Sequence, residues 1–346
     1  MAKKSSRKYT QAESLFAPSL FDELSESINE ETVSDFDVIA PQKLRDDTPK
    51  SSVTDEITEE SAVRKDTALR FISFGSGSSG NCAYIGTAEG EGILIDGGVE
   101  DKRVYGTLSK YGITPNMIKG ICLTHDHGDH VRYTYKLVRK HRHIGVFCTP
   151  RVLEGIFRRH SISRSLREMH VPIFKEIPFK VAGMQITAFE VPHDGSDNAG
   201  FFIEYEGMKF AIATDIGSIA SRARNYLSQA NFMMLESNYN AEMLLNGSYP
   251  EYLKSRIMSN NGHLENEEGA RFIAEIHGNG NLRYLFLCHL SKDNNTPECA
   301  LNTYHKILGD NDITIGKGNE TLQDKECDIQ LVALPRFEAS RLYILR

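Results

Sequence analysis

Four potential metal ligands lie within six consecutive positions of this chain, at His125, His127, Asp129 and His130. The cluster directly follows the apolar run 121–123, which is typical of a buried strand that ends in a polar turn. Imidazole nitrogen and carboxylate oxygen are ligands that suit zinc, manganese and iron. A pair of metal ions needs about this many ligands, and such pairs activate water to attack phosphate or acyl centres. The spacing therefore predicts a hydrolytic metal site; the alternative is a histidine-rich surface loop that binds nothing.

Further ligand-type residues stand where short apolar or alternating runs end, at Asp96, His193, Asp215 and His289. A glycine or serine follows each of them within two positions. This pattern describes a buried strand that delivers one polar side chain to its carboxyl-terminal edge. Taken singly, His193 or His289 is more often an ordinary, partly buried histidine. Together with the cluster at 125–130, these residues favour a single shared site.

The order of these residues resembles that of the metallo-β-lactamase-fold hydrolases, over roughly residues 68–346. Shorter motifs resemble the YycJ (WalJ) group of that fold, whose members are bacterial relatives of the nucleases RNase Z and RNase J. The motifs are Phe-Gly-Ser-Gly-Ser-Ser-Gly-Asn at 74–81, Leu-Glu-Ser-Asn-Tyr at 235–239, Gly-His-Leu at 262–264 and His-Leu-Ser-Lys-Asp-Asn-Asn-Thr-Pro at 289–297. Members of the group are described as metal-dependent nucleases that act on DNA from a 5′ end. One departure is Glu265, where the group's pattern has a serine, so the role of this position stays open.

The resemblance implies an α/β (α+β) architecture, a four-layer αβ/βα sandwich with the metal site at one edge between two sheets. It also implies two divalent ions, zinc or manganese, and a metal-bridging hydroxide that attacks a phosphodiester. The ligands it implies are His125, His127 and His193 for the first ion, Asp129, His130 and His289 for the second, and Asp215 as the bridge.

Other residues receive roles by resemblance and by their place near the ligands. Asp96 is expected to orient a ligand or accept the proton of the nucleophile, and Asp129 is counted with it among the catalytic groups. His263 is our candidate for the general acid or phosphate clamp, against the alternative that it only caps the helix starting near 266. Glu236 and Asn238 are expected to hydrogen-bond a ligand histidine.

A polar, glycine-rich turn at 75–81 is a candidate phosphate-binding loop; the alternative is a turn that only lets strands approach each other. The expected substrate-binding residues are Ser78, Ser79, Asn81, His263 and Asn294.

The substrate class is indicated by an uneven charge distribution within an overall net charge of −7. Residues 132–170 contain 10 Lys or Arg but only 2 acids, which favours a polyanion; a solvated helix face is the alternative. The residues expected to track a phosphate backbone are Lys136, Arg139, Lys140, Arg142, Arg158, Arg159, Arg164 and Arg167. The segment 216–288 is too short for the extra domain of RNase J, and no RNase Z-type arm is evident. These features favour a compact exonuclease, and the resemblance to the YycJ (WalJ) group implies that it acts on DNA in the 5′ to 3′ direction.

Two other classes of function stay open at this point. One is a small-substrate hydrolase on the same fold, such as a cyclic phosphodiesterase, lactonase or thioesterase. The other is a non-catalytic recruitment protein, which the complete set of ligand-type residues disfavours. A neutral pocket would favour the first alternative, and the loss of any ligand from the site would favour the second.

Composition divides the 346 residues into two parts, an expected disordered acidic tail at 1–66 and a catalytic domain at 67–346. Residues 21–62 carry 13 acids against 3 bases, and the acidic stretch is a candidate cover for the basic residues. The segments Gln11–Phe16 and Ala17–Phe21 resemble peptides that dock on the bacterial sliding clamp; the alternative is that they bind nothing.

The location is expected to be the cytoplasm. No apolar run approaches the ~20 residues of a membrane helix, and no apolar segment follows the basic start to make a secretory signal. The six cysteines form no CxxC pair and are expected to be reduced thiols.

Apolar periodicity predicts alternating strands and helices across the catalytic domain. The expected strands cover 70–74, 82–86, 92–95, 120–123, 145–148, 184–190, 200–205, 209–214, 231–235, 283–288 and 327–334. The expected helices cover 101–110, 131–140, 151–160, 219–228, 266–277 and 297–308.

Overall fold

The computed structural model describes residues 67–318 and 327–346. The acidic tail 1–66, with its two candidate clamp-binding segments, lies outside the described residues. The strands are β1 Leu69–Gly75, β2 Cys82–Thr87, β3 Gly92–Ile95, β4 Ile118–Cys122, β5 Gly145–Cys148, β6 His170–Pro172, β7 Phe179–Val181, β8 Met184–Glu190, β9 Ala199–Tyr205, β10 Met208–Ala213, β11 Phe232–Glu236, β12 Tyr284–Cys288, β13 Ile315–Gly316, β14 Ile329–Ala333 and β15 Tyr343–Leu345. The helices are α1 Asp101–Lys110, α2 Gly128–Val131, α3 Thr134–Val138, α4 Pro150–Arg159, α5 Ser221–Leu227, α6 Ala241–Asn246, α7 Glu251–Ile257, α8 Asn266–Ile276 and α9 Pro297–Gly309.

The strands form two mixed sheets. The first sheet has the order β15-β1-β2-β3-β4-β5-β6, and the second has the order β13-β14-β12-β11-β10-β9-β8-β7. The pairs from β3 to β6 are parallel, as are those linking β10, β11, β12, β14 and β13. Parallel neighbours end at the same edge of a sheet, so each sheet presents one edge where several chains leave their strands together.

Alternation along the strands divides their side chains between two faces. In β12, Phe286 points to the space between the sheets, whereas Leu285 and Leu287 point to the outer side of the second sheet. The ring of Phe71 in β1 lies 5.3 Å from that of Phe210 and 4.6 Å from that of Phe286, which joins the two sheets through aromatic contacts.

Helices cover both outer faces. Val104 of α1 and Ile156 of α4 pack on the outer side of the first sheet, while Ala223 of α5 and Ile273 of α8 pack on that of the second. The result is the expected four-layer α/β sandwich, which confirms the fold class.

Two of the longer helices start at a Thr-Pro pair. The hydroxyl oxygens of Thr149 and Thr296 accept backbone hydrogen bonds from Val152 at 3.3 Å and from Cys299 at 3.0 Å. Threonine satisfies an otherwise unpaired N–H at the helix start, and proline at the next position has none to satisfy.

Several short stretches differ from the sequence prediction. The single helix expected over 131–140 is two short helices, α2 and α3, because the backbone N–H of Tyr133 bonds to the oxygen of Gly97 at 2.8 Å instead of continuing the helix. Helices α6 and α7 and the short strands β6, β7, β13 and β15 were not expected, since the helices span less than two turns and the strands have three residues or fewer, too few to show a periodicity. No helix among residues 67–318 and 327–346 has the length and hydropathy to span a bilayer.

A close backbone approach at Gly98 provides a test of the fold. A Cβ on Gly98 would collide with the backbone oxygen of Asp129, so we expect Gly98→Ala to destabilise the protein by about 3 kcal/mol or to displace the Asp129 turn. Gly106 is the matched control, because it is exposed inside α1 and a Cβ there meets nothing within 4 Å. Gly106→Ala should stabilise the protein by about 0.5–1 kcal/mol. Urea unfolding of both variants measures the difference, and equal stabilities would contradict this packing.

Candidate metal centre

The expected ligands converge at the carboxyl-terminal edges of the two sheets. Asp96 directly follows β3, and the cluster at 125–130 follows β4 in the first sheet. His193, Asp215 and His289 follow β8, β10 and β12 in the second sheet. Because strands from both sheets end here, residues far apart in sequence meet between the layers.

Backbone conformation at three of these positions is unusual. Asp96, Asp215 and His289 have φ angles of 61°, 50° and 52°, in the left-handed region that favours glycine. Each such residue costs about 1–3 kcal/mol and persists only where its surroundings impose it. The strain falls on the residues that leave β3, β10 and β12, and it turns their side chains into the site.

One group of possible ligands consists of three imidazoles. Nitrogen atoms of His125, His127 and His193 all lie within 4.8 Å of one another. His193 Nε2 lies 3.3 Å from His127 Nδ1, while His193 Nδ1 donates to the backbone oxygen of Gly262 at 2.9 Å. That bond fixes the ring and leaves Nε2 directed at the other two histidines.

A second group combines one carboxylate with two imidazoles. Ligand atoms of Asp129, His130 and His289 also lie within 4.8 Å of one another. His130 Nδ1 is 2.7 Å from Asp96 Oδ2, and His289 Nδ1 is 2.8 Å from Glu236 Oε1. In both rings the other nitrogen, Nε2, faces Asp129, at 3.6 Å and 3.5 Å.

Asp215 lies between the two groups. Its carboxylate oxygens are 3.0 Å from His130 Nε2 and 3.8 Å from His193 Nε2, so it touches a member of each. Burial opposes its ionisation, but the neighbouring His289 and His130 outweigh that effect and hold the pKa of Asp215 well below its usual range. An ionised, buried carboxylate at this point is suited to bridge two cations.

Unpaired histidine nitrogens and the protonation preferences of the site's residues show that the site fits divalent metal ions. The Nε2 atoms of His125 and His289 are buried and have no hydrogen-bond partner within the described ranges. A buried polar atom left unpaired costs about 1–3 kcal/mol, and a metal ion would satisfy both. Burial and adjacent histidines lower the pKa of His125, which keeps its ring neutral and able to bind a metal. Burial also disfavours the charged form of His289, yet Asp215 and further acids raise its pKa to about 10, so the site attracts positive charge.

Asp96 is buried behind the histidines. Besides His130, its carboxylate accepts hydrogen bonds from the backbone N–H of Thr124 at 2.8 Å and from the Thr124 hydroxyl at 3.0 Å. The Thr124 hydroxyl lies 3.0 Å from His125 Nδ1 as well. One carboxylate and one hydroxyl thus fix the orientation of two histidine rings.

Glu236, at the end of β11 in the second sheet, orients histidine rings as Asp96 does in the first. It is fully buried, and Oε1 lies 2.8 Å from both His263 Nδ1 and His289 Nδ1. Its other oxygen accepts backbone N–H groups of Ile216 at 2.8 Å and Leu264 at 3.2 Å. Burial opposes ionisation, but His263 in particular holds the pKa of Glu236 below its usual value.

His263 is positioned by Glu236 and lines a cavity beside the ligands. Burial disfavours its protonation, but the adjacent Glu236 outweighs burial and raises the pKa of His263. With Nδ1 turned to Glu236, Nε2 is the nitrogen available to a substrate. The cavity has a volume of about 220 Å³, and its other lining residues include Ser78, His193, Asp194, Asn238, Tyr249, Arg256, His289 and Ser291.

The expected substrate-binding residues occupy different surroundings. Ser78 lines the cavity, and Ser79 is exposed on the same turn. The Asn81 amide lies 3.1 Å from Asp129 Oδ2 and 2.9 Å from His130 Nε2, so it contacts the second ligand group directly. Asn294 is buried outside the cavity lining, and its backbone oxygen accepts a hydrogen bond from the N–H of Asn240. Asn238 donates to Glu236 Oε1 at 3.2 Å and to the backbone oxygen of His289 at 2.8 Å.

Two acidic residues near the ligands were not singled out from the sequence. Asp126 is fully buried, and its oxygens accept from the N–H of Ser196 at 2.8 Å and from its hydroxyl at 2.6 Å, which ties the 125–130 turn to the loop after His193. Asp194 pairs with Arg256 at 2.6 Å and lies 3.3 Å from His127 Nε2. Their positions inside the two histidine motifs were the available signal.

The basic residues of 132–170 only partly border the site. Arg159 lies 3.4 Å from Asp126, and Arg158 donates to the Ser196 hydroxyl at 2.8 Å, so the end of α4 adjoins the ligand turn. Arg142 and Arg167 instead pair with Glu168 and Glu154. Lys136, Arg139, Lys140 and Arg164 are exposed.

Comparisons with known proteins agree with this geometry. The sequence profile of the family described as "Beta-lactamase superfamily domain" matches residues 92–289. The chain is 29% identical over 258 residues to Exodeoxyribonuclease YycJ of Bacillus anthracis, covering 73% of this chain and 94% of that protein. It is 29% identical over 249 residues to Exodeoxyribonuclease WalJ of Streptococcus pneumoniae serotype 2, covering 72% and 91%. The solved metallo-β-lactamase-fold protein YhfI of Bacillus subtilis has a TM-score of 0.56 at 12% identity, covering 80% of this chain and 99% of that one.

The profile match spans more than half of the chain and runs from β3 to His289, which is the stretch that supplies the convergent histidines and acids. The likeness to YhfI independently supports the fold. The resemblance to metallo-β-lactamase-fold hydrolases inferred from the motifs is thereby confirmed. The chain belongs to the β-lactamase superfamily, as a hydrolase of the metallo-β-lactamase fold.

Proposed function

We propose that the chain is a metal-dependent phosphodiesterase, and specifically an exonuclease that degrades DNA in the 5′ to 3′ direction. The observation that carries the proposal is the pair of ligand groups sharing Asp215 beside a cavity with an arginine, Arg256, in its wall. The exodeoxyribonucleases YycJ and WalJ, each 29% identical to the chain, support the choice of DNA over RNA.

Two divalent ions, zinc or manganese, complete the proposed site. One ion would be held by His125, His127 and His193. The other would be held by Asp129, His130 and His289, and Asp215 would bind both ions. When bound, such ions supply Lewis acidity, which lowers the pKa of water and stabilises negative charge on a phosphate.

The chain's own residues orient the ligand histidines and protonate the leaving group. Asp96 holds His130 through Nδ1, and Glu236 holds His289 in the same way, with Asn238 steadying that carboxylate. His263, whose pKa Glu236 raises, is the proposed general acid that delivers a proton from Nε2 to the departing sugar oxygen. Ser78, Ser79 and Asn81, on the turn beside the cavity, are proposed to contact the substrate phosphate.

A small-substrate hydrolase is the second candidate, and one observation favours it. The cavity volume of about 220 Å³ accommodates a small molecule but not a polymer. Arg158 and Arg159 at the end of α4 and Arg256 in the wall weigh against a neutral substrate. A polymer would need to place only its reacting end in this cavity.

The proposal also includes a cytoplasmic location and docking on a sliding clamp. All six cysteines are free thiols, and four of them are buried, which suits a reducing compartment. The candidate clamp-binding segments Gln11–Phe16 and Ala17–Phe21 belong to the part of the chain that lies outside the described residues.

The central experiment is a cleavage assay with 5′- and 3′-labelled, single- and double-stranded DNA and RNA, using protein supplied with manganese or zinc. We expect metal-dependent loss of the 5′ label as mononucleotides from DNA. Asp215→Ala and His125→Ala should abolish cleavage, because one removes the shared carboxylate and the other an imidazole of the first group. Absence of cleavage of every polymer, with hydrolysis of small phosphodiesters or lactones retained, would contradict the nuclease proposal.

Loss of the proposed acid should depend on the leaving group. We expect His263→Ala to slow DNA cleavage by about 10²–10⁴-fold, because the sugar oxygen needs a proton as it departs. Hydrolysis of bis(p-nitrophenyl) phosphate should fall much less, since nitrophenolate leaves unprotonated. Comparison of kcat for the two substrates measures the effect, and equal losses on both would show that His263 has a different role.

Removal of the buried Asp96 carboxylate should weaken metal binding. We expect Asp96→Asn to raise the Kd for zinc by about 10–100-fold, because the amide no longer fixes His130 as the carboxylate does. Asp328→Asn is the control, since that carboxylate is exposed and, within the described residues, accepts hydrogen bonds from the N–H and the hydroxyl of Thr314. Competition with a chelating dye measures both affinities. An unchanged Kd for Asp96→Asn would rule out this orienting role.

A further inference from the structure

Two exposed aromatic side chains near the cavity have no part in the site described so far. Tyr252 is 76% exposed and Phe337 is 53% exposed, whereas most aromatic rings of the described residues are buried. Each belongs to a pair with an arginine: Arg256, which lines the cavity, or Arg336, which contacts residues beside it.

Tyr252 and Arg256 form the first arginine–aromatic pair. They are four residues apart in α7, so they lie on the same helix face. The guanidinium of Arg256 lines the cavity and bonds Asp194 at 2.6 Å, and Asp194 lies 3.3 Å from His127 Nε2. Tyr252 therefore sits one helical turn away from a residue that is linked to His127 through Asp194.

Arg336 and Phe337 form the second pair. The Arg336 guanidinium lies 5.6 Å from the ring centroid of Phe337, and it donates to the backbone oxygen of Leu290, the residue after His289, at 2.6 Å. The Nε atom of Arg336 is buried and has no hydrogen-bond partner in the described part of the chain.

The second pair also adjoins the cavity. Arg336 interacts electrostatically with Asp293 and Tyr249, and Tyr249 is part of the cavity wall. The backbone oxygen of Arg336 accepts a hydrogen bond from the N–H of Ser76 at 3.3 Å, on the turn that carries Ser78. Arg256 thus lines the cavity from α7, and Arg336, in the loop after β14, contacts residues that lie in or next to its wall.

Arginine next to an exposed ring matches the chemistry of a nucleic-acid strand whose bases are unpaired. The guanidinium takes a phosphate, and the ring stacks on a base, whatever the base's identity. A duplex hides the faces of its bases, so rings of this kind act only on a single strand or a frayed end.

We propose that Tyr252 and Phe337 are base-stacking platforms for a single strand whose phosphates are held by Arg256 and Arg336. The strand would pass over the cavity with its end at the histidine cluster. This inference rests on the proposed nuclease function and adds to it a preference for unpaired ends. The preference would come from stacking of bases on aromatic rings and not from base-specific hydrogen bonds.

The test compares ring removal with ring retention in the full-length, metal-supplied protein. We expect Tyr252→Ala and Phe337→Ala each to raise KM for a single-stranded oligonucleotide about tenfold, within the range that stacking on one base supplies. Tyr252→Phe and Phe337→Tyr should keep wild-type KM, because the rings remain. Hydrolysis of bis(p-nitrophenyl) phosphate should not change in any of these variants. Phe174→Ala is the matched control, since Phe174 is 55% exposed between β6 and β7 and is absent from the cavity lining.

The outcomes separate this inference from the function on which it rests. If the wild-type protein degrades DNA but both alanine variants keep its KM, the stacking platforms are refuted and the nuclease stands. An equal rise in KM for Phe174→Ala would also refute them, because exposure alone would then explain the effect. If the wild-type protein neither binds nor cleaves any nucleic acid, both proposals fail together.

Discussion

The buried carboxylate of Asp215 is the interaction on which the site depends. It follows β10 of the second sheet yet lies 3.0 Å from His130 in α2, shortly after β4 of the first sheet. Such a charge is stable away from water only when cations or donors surround it. The histidines supply that surrounding, and Asp96 and Glu236 fix two of them from behind. The left-handed backbone of Asp215 shows that the fold accepts local strain to bring this carboxylate to the middle.

Much of the site could be predicted from the sequence, because most of its residues closely follow the end of an apolar strand. Buried parallel strands read as short apolar runs, and the polar residue at the end of each must lie at a sheet edge. This logic assigns Asp96, His193, Asp215 and His289 to the ends of buried strands, and in the structure they follow β3, β8, β10 and β12. The four-layer order followed from the family resemblance, and alternation along strands such as β12 explains it physically.

The features of the fold and site that the sequence did not predict depend on tertiary contacts, which leave no periodic pattern in the sequence. The expected helix 131–140 is interrupted because Tyr133 bonds Gly97, a residue more than thirty positions earlier. In the sequence, Asp126 cannot be told apart from the other acids near the histidine cluster. The structure shows that both of its carboxylate oxygens accept hydrogen bonds from Ser196. Helix α7 is too short for its pattern to be recognised, so the pair Tyr252 and Arg256 had no predicted place. The basic residues likewise divide between the site rim and ordinary surface ion pairs, a division that counting charges cannot make.

Anomalous diffraction from crystals grown with zinc or manganese tests the central claim most directly. The account predicts two ions per chain, one bound by His125, His127 and His193 and the other by Asp129, His130 and His289. Asp215 should contribute an oxygen to each. A single ion, or two ions of which Asp215 contacts only one, would contradict the account of a shared two-metal site.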